Sequence, residues 1–193
     1  HGLGRPILLY DRLGHGGSPS LEGERPSAFM EDEAWRVLPQ VLADRKIDVP
    51  DILGHSDGGS IALLYAARHR VGRIMTVSAH VCTDRLSHSG VDKTAFLIDD
   101  GRMEQALEPF HGEKWRHLAE AWVRHWQGAA ERNWDFRSLL PKIVAPVLAV
   151  QGQDDDYGLP QQLADIAAGV SGPVETQLLE GVGHWPHREA ADH

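Results

Sequence analysis

A serine between glycines, a run of three aspartates and a histidine behind a glycine pair are the residues here whose types and spacing could do chemistry. Ser56 sits in Gly54-His55-Ser56-Asp57-Gly58, a G-x-S-x-G pattern. A serine hydroxyl is a weak nucleophile, so it must project beside a general base and near N–H donors for a developing oxyanion. Glycines on both sides let a strand and a helix approach closely across a sharp turn, and the backbone N–H of Asp57 would open that helix pointing at the site. Asp57 N–H is the expected oxyanion donor.

A base is expected downstream in Gly181-Val182-Gly183-His184, directly behind the last apolar run, where glycines would let an imidazole swing toward the serine. His184 is preferred, with His187 three residues on as the alternative; most of the 12 histidines must be surface groups. An acid should orient that imidazole and stabilise its charged form. One of Asp154, Asp155 and Asp156 is placed for this, in the loop Gln151-Gly152-Gln153-Asp154-Asp155-Asp156 after an apolar run; solvation is the plainer reading of such a cluster.

These residues need a scaffold that carries them to one place. Arg5 to Tyr10 reads as a buried strand, and Glu31 to Ile47 as a helix with its apolar face on Trp35, Leu38, Val41 and Leu42, kinked at Pro39. Val49 to Gly54 reads as a second strand, Ser60 to His69 as a helix, and Arg73 to Ala79 as a third strand. Pro146 to Val150 and Val174 to Leu179 are later strands, separated by a helical pattern from Gln161 to Val170. Strands alternating with helices indicate an open, mostly parallel sheet covered on both faces, with chemistry at the carboxyl ends of the strands. Between Val81 and Pro141 no strand is expected, and Trp115, Leu118, Ala119, Trp122, Val123 and Trp126 mark an amphipathic helix. Its tryptophans and Trp134 are read first as core residues and second as the lining of a substrate cavity.

Composition narrows the partners. With 28 acids against 19 bases, a net charge of −9 and no basic stripe, nucleic acid is not expected. The single cysteine, Cys82, excludes an intrachain disulfide and a multi-thiolate zinc site. No apolar run approaches the roughly 18 residues of a membrane span and no secretory signal opens the chain, so a soluble, cytoplasmic protein is expected. Oligomeric state is not indicated.

Four segments together resemble the α/β-hydrolase superfamily over almost the whole chain. Tyr10-Asp11-Arg12-Leu13-Gly14-His15-Gly16-Gly17-Ser18 is similar to the D-x-x-G-x-G-x-S loop ahead of the nucleophile, and Gly54 to Gly58 to the nucleophile elbow. Gly152-Gln153-Asp154-Asp155 is similar to the G-x-x-D acid loop, which selects Asp155, and Gly183-His184 to the final histidine motif. The resemblance implies an α/β-hydrolase fold, with a core of residues 1–80 and 142–193 and a small helical cap at 81–141. It implies a triad of Ser56, Asp155 and His184, no metal or organic cofactor, and a small-molecule substrate.

Hydrolysis of a carboxylic ester or thioester through an acyl-enzyme on Ser56 is the expected reaction. Carbon–carbon bond hydrolysis or acyl transfer on the same triad, a non-catalytic ligand-binding module, and metal-dependent hydrolysis at Asp154 to Asp156 with His184 or His187 are the alternatives. Serine at position 56 argues against relatives that place an aspartate there. Family members usually carry strands ahead of residue 5, including one followed by a His-Gly loop with a second oxyanion N–H. His1-Gly2 resembles that dipeptide but stands too near Arg5 to be given the role. A strand missing between 5–10 and 49–54, and a closing helix with only nine residues left for it after His184, suggest that parts of both terminal regions are absent.

Overall fold

Backbone hydrogen bonding organises the chain around strands that are short and separated by helices. The computed structural model describes residues 4–191, so His1-Gly2 lies outside the described residues. In chain order the first elements are α1 (Phe29–Asp32), a π-helical stretch (Glu33–Val37), α2 (Leu38–Asp44), β1 (Ile52–His55), α3 (Asp57–Ala66) and β2 (Ile74–Val77). Then come α4 (Arg85–Asp99), α5 (Glu104–His111), α6 (Trp115–Glu131), β3 (Val147–Gly152), α7 (Gln161–Gly169), β4 (Val174–Leu179) and α8 (Pro186–Glu189). Two compact units result: the described residues up to Arg25 with Asp92–His125, and Pro26–Val91 with the described residues from Trp126 onward.

The second unit holds a four-stranded sheet in the order β1-β2-β3-β4, every pair parallel. Ile52 pairs with Ile74, Ile74 with Val147, and Val147 with Val174, so the strand starts are level and the carboxyl ends form one rim. Ala149, Val150 and Gln151 are consecutive and all buried; because neighbours along a strand point to opposite faces, both faces of β3 are covered. The fold is thus the expected α/β arrangement. Nearly every residue of α3 is buried, including Ile61, Leu63 and Leu64, which suits a helix that is apolar all round. The outer strands are barer: Leu53 on β1 is 68% exposed and Leu178 on β4 is 45% exposed.

Several boundaries differ from the sequence reading. Residues 5–10 form no strand; Ile7 and Leu9 are exposed, and no described segment pairs with them, so an apolar run alone does not make a ladder. β1 starts at Ile52 because Pro50 has no N–H to give a ladder. The kink at Pro39 takes the form of the π stretch ahead of it, where a wider turn accommodates the ring against the preceding carbonyls. α3 begins three residues earlier than expected, at Asp57, despite the unfavourable Gly58 and Gly59.

In the first unit Asp11 braces its own loop. Its carboxylate accepts the Gly17 N–H at 2.8 Å, and its carbonyl accepts the Ser18 hydroxyl at 2.6 Å. Segment 81–141 is helical, with only an isolated antiparallel bridge between Cys82 and Asp135. Its tryptophans divide: Trp115 and Trp126 are buried, while Trp122 and Trp134 are half-buried. Among the described residues no helix is long and apolar enough to cross a membrane.

Candidate active site

Ser56 occupies the single residue between β1 and α3, and its backbone pays for that position. Its φ of 53° and ψ of −123° are left-handed values that non-glycine residues rarely adopt. The Ser56 N–H still donates to the Val77 carbonyl at 2.8 Å, so the strained turn is fastened to the sheet. Gly54 is required beneath it, since a Cβ there would collide with the Gly58 carbonyl. Ser56 is also the N-cap of α3, yet its hydroxyl makes no capping bond. That hydroxyl faces His184 instead, forgoing a cap of about 1 kcal/mol.

His184 and Asp155 arrive from the ends of the two later strands. His184 Nε2 lies 3.0 Å from Ser56 Oγ, and His184 Nδ1 lies 2.9 and 3.0 Å from the two Asp155 oxygens. An ionised carboxylate only accepts, so Nδ1 carries the proton and Nε2 turns its lone pair to the serine hydroxyl, which donates. The two loops are interlocked: a Cβ at Gly152 would strike the Val182 and Gly183 carbonyls, and the Asp154 N–H donates to the Val182 carbonyl at 2.9 Å. Asp154 points to solvent while Asp155 is 3% exposed. His187 packs its ring against His55, and it is His184 that faces Ser56.

Electrostatics keep the carboxylate charged. Burial would push the Asp155 carboxyl up, but hydrogen bonds from the His184 ring and the Tyr157 N–H hold it below the usual carboxylate range. Oδ1 accepts the Tyr157 N–H at 2.8 Å and the Gly158 N–H at 3.3 Å. Among the described residues no three His, Cys, Asp or Glu side chains are grouped to hold a metal ion.

Three supporting contacts had no signal in the sequence. His55 Nε2 donates to the His184 carbonyl at 2.8 Å, and its ring lies 4.5 Å from that of Trp185, so the residue before the serine also grips the histidine loop. Burial lowers the His55 ring to about 4. The Glu189 carboxylate accepts the Gly183 N–H at 2.6 Å and the Trp185 N–H at 3.0 Å, clamping the same loop from α8. Trp126 donates its ring N–H to Asp57 Oδ1 at 3.1 Å, fixing the indole against the residue after the serine. The His55 and Trp126 pairings span 129 and 69 residues, which spacing cannot reveal, whereas the Glu189 clamp is local but belongs to no motif.

A parallel sheet with a serine on a strained strand-to-helix turn, and an imidazole and a carboxylate at later strand ends, is the architecture of the α/β-hydrolase class. The chain belongs to the alpha/beta hydrolase family, whose sequence model matches residues 1–192. RutD of Yersinia enterocolitica, named for carbamate hydrolysis, is 28% identical over 83% of this chain and 66% of its own length. The human serine hydrolase BPHL is 28% identical over 77% of this chain and 53% of its own. The chain therefore spans just under two thirds of the first relative and about half of the second. The crystal structure of serine hydrolase CCSP0084 from Cycloclasticus zankles shares the fold, with a TM-score of 0.73 at 14% identity over 93% of this chain and 73% of that one.

Proposed function

We propose that the protein is a serine hydrolase that cleaves a carboxylic ester or thioester through an acyl-enzyme on Ser56. The observation that carries the reading is the pair of bonds made by one ring: His184 Nε2 at 3.0 Å from Ser56 Oγ and Nδ1 at 2.9 Å from Asp155. Ser56 attacks the substrate carbonyl while His184 accepts its proton; His184 then donates that proton to the leaving group and afterwards activates water. Asp155 fixes the ring tautomer and stabilises the imidazolium. The amide of Asp57, first residue of α3, donates to the oxyanion. No cofactor enters these steps.

The helical segment 81–141 is proposed as the cap over a core of residues 1–80 and 142–193, and a small-molecule substrate and cytoplasmic location belong to the same proposal. The name of RutD places carbamates beside esters among the bonds to be tried. The test is a panel of activated esters, thioesters and carbamates, run alongside a fluorophosphonate probe. Wild type should turn over at least one ester and label at Ser56; Ser56→Ala should do neither while keeping its melting temperature. Undiminished turnover in Ser56→Ala would discard the mechanism. Turnover of carbamates alone would replace the ester assignment.

A further inference from the structure

His80 stands just past the carboxyl end of β2, is 4% exposed, and has no part in the steps above. Its backbone is clamped by Ser60, whose hydroxyl donates to the His80 carbonyl at 2.7 Å and accepts the His80 N–H at 3.1 Å. Its ring lies 6.2 Å from that of His184 and 5.3 Å from that of Trp126. The partner of Nε2 is the Tyr157 carbonyl at 2.9 Å; a carbonyl only accepts, so Nε2 carries the proton. Nδ1 is then a buried lone pair, and it has no hydrogen-bond partner among the described residues. An orphaned acceptor carries a desolvation cost that an apolar side chain of similar size would avoid. Burial also holds the ring below the ordinary histidine range, so it is neutral with a single donor. What the imidazole adds over a hydrocarbon is therefore its Nε2–H.

The Tyr157 carbonyl and the Gly158 N–H are two ends of one planar peptide. That N–H donates to Asp155 Oδ1 at 3.3 Å, beside the Tyr157 N–H at 2.8 Å. Gly158 permits the approach, because a Cβ there would stand 2.8 Å from His80 Nε2. Gln151 holds the next carbonyl, donating to Gly158 O at 2.7 Å. The loop is thus fixed on both sides of the peptide that bears on the carboxylate.

We propose that His80 is a positioning residue, which through the Tyr157–Gly158 peptide holds the Asp155 carboxylate in line with the His184 ring. It rests on the triad reading above, and its test separates the two. The second-order rate of fluorophosphonate labelling is measured for wild type, Ser56→Ala, His80→Leu, His80→Gln and Gly158→Ala, and for His80→Leu combined with Asp155→Asn. Loss of the donor in His80→Leu should slow labelling about tenfold. His80→Gln, whose amide can donate from nearly the same place, should recover to within about twofold of wild type, and Gly158→Ala, which displaces the ring, should fall with His80→Leu. Added to Asp155→Asn, His80→Leu should cost less than about twofold, because the group it acts through is already lost.

Full-rate labelling in His80→Leu, failure of His80→Gln to recover, or an undiminished tenfold effect in the Asp155→Asn background would overturn the proposal. Should His80→Leu not fold, Gly158→Ala decides, and labelling at the wild-type rate in that variant overturns it. Wild type that does not label at Ser56 refutes the triad reading itself.

Discussion

Replacing Asp155 by asparagine should disable the site through a tautomer rather than through lost shape. In the native site both carboxylate oxygens lie near His184 Nδ1, Oδ1 at 2.9 Å and Oδ2 at 3.0 Å, but Oδ1 also accepts two backbone N–H groups, from Tyr157 at 2.8 Å and Gly158 at 3.3 Å, which by themselves fill the two lone pairs of an amide oxygen. The asparagine oxygen must take the Oδ1 position, because an NH2 group there would face two donors. Its NH2 is thereby directed at His184 Nδ1. Two donors cannot meet, so the ring moves its proton to Nε2, which then faces the Ser56 hydroxyl with no lone pair to receive the proton. On the triad reading this should lower kcat about a thousand- to ten-thousandfold, or about 4 to 5 kcal/mol in the barrier. The assay is turnover of the best ester from the panel, paired with nitrogen NMR of the His184 ring to report which nitrogen is protonated. A variant that stays within about tenfold of wild type, or a ring that keeps its Nδ1 proton, would refute the reasoning.

Two further outcomes follow from His55. His55→Phe keeps the ring against Trp185 but loses the 2.8 Å bond to the His184 carbonyl, so kcat should fall about three- to tenfold while Ser56 still labels; unchanged kcat would remove His55 from the positioning of the loop. Acid should weaken the fold in a defined window. The unfolded histidine takes up a proton near its ordinary value of about 6.5, and folded His55 does so only at about 4, so stability declines as pH falls from 6.5 to 4 and levels off below. Buried His80, also held low, adds in the same direction, and the depressed Asp155 carboxyl adds a loss at still lower pH. For a half-buried ring such as His55 the contribution is discounted to about 1 to 2 kcal/mol, a few degrees of melting temperature. A melting temperature that is flat from pH 7 to 4, or an equally steep decline in His55→Phe, would contradict this assignment.

What was legible in the chain follows from how each feature is encoded. β4 lies where the run Val174 to Leu179 lies, apolar at its ends and polar at Glu175, Thr176 and Gln177, because a turn bounds it at Ser171-Gly172-Pro173 and its pairing partner β3 is present. Residues 5–10 carry a comparable run and form no strand, since strand character depends on a neighbour that the run itself does not specify. The early start of α3 was hidden by Gly58 and Gly59, which count against a helix locally; burial of the helix along nearly its whole length outweighs that preference of about 1 kcal/mol per glycine.

The site divides along the same line. Gly54 and Gly152 stand in motifs because a Cβ at either would collide with backbone, and a requirement for absent atoms restricts residue type so strongly that it shows in a single sequence. His55 and His80 meet a different demand: each supplies one donor to a loop distant in the chain, while Glu189 supplies two acceptors to the loop just ahead of it, and other side chains can supply the same groups. Such residues leave no spacing behind them. The outline of the site is thus written in its glycines, whereas its rigidity rests on polar partners that only the folded chain brings together.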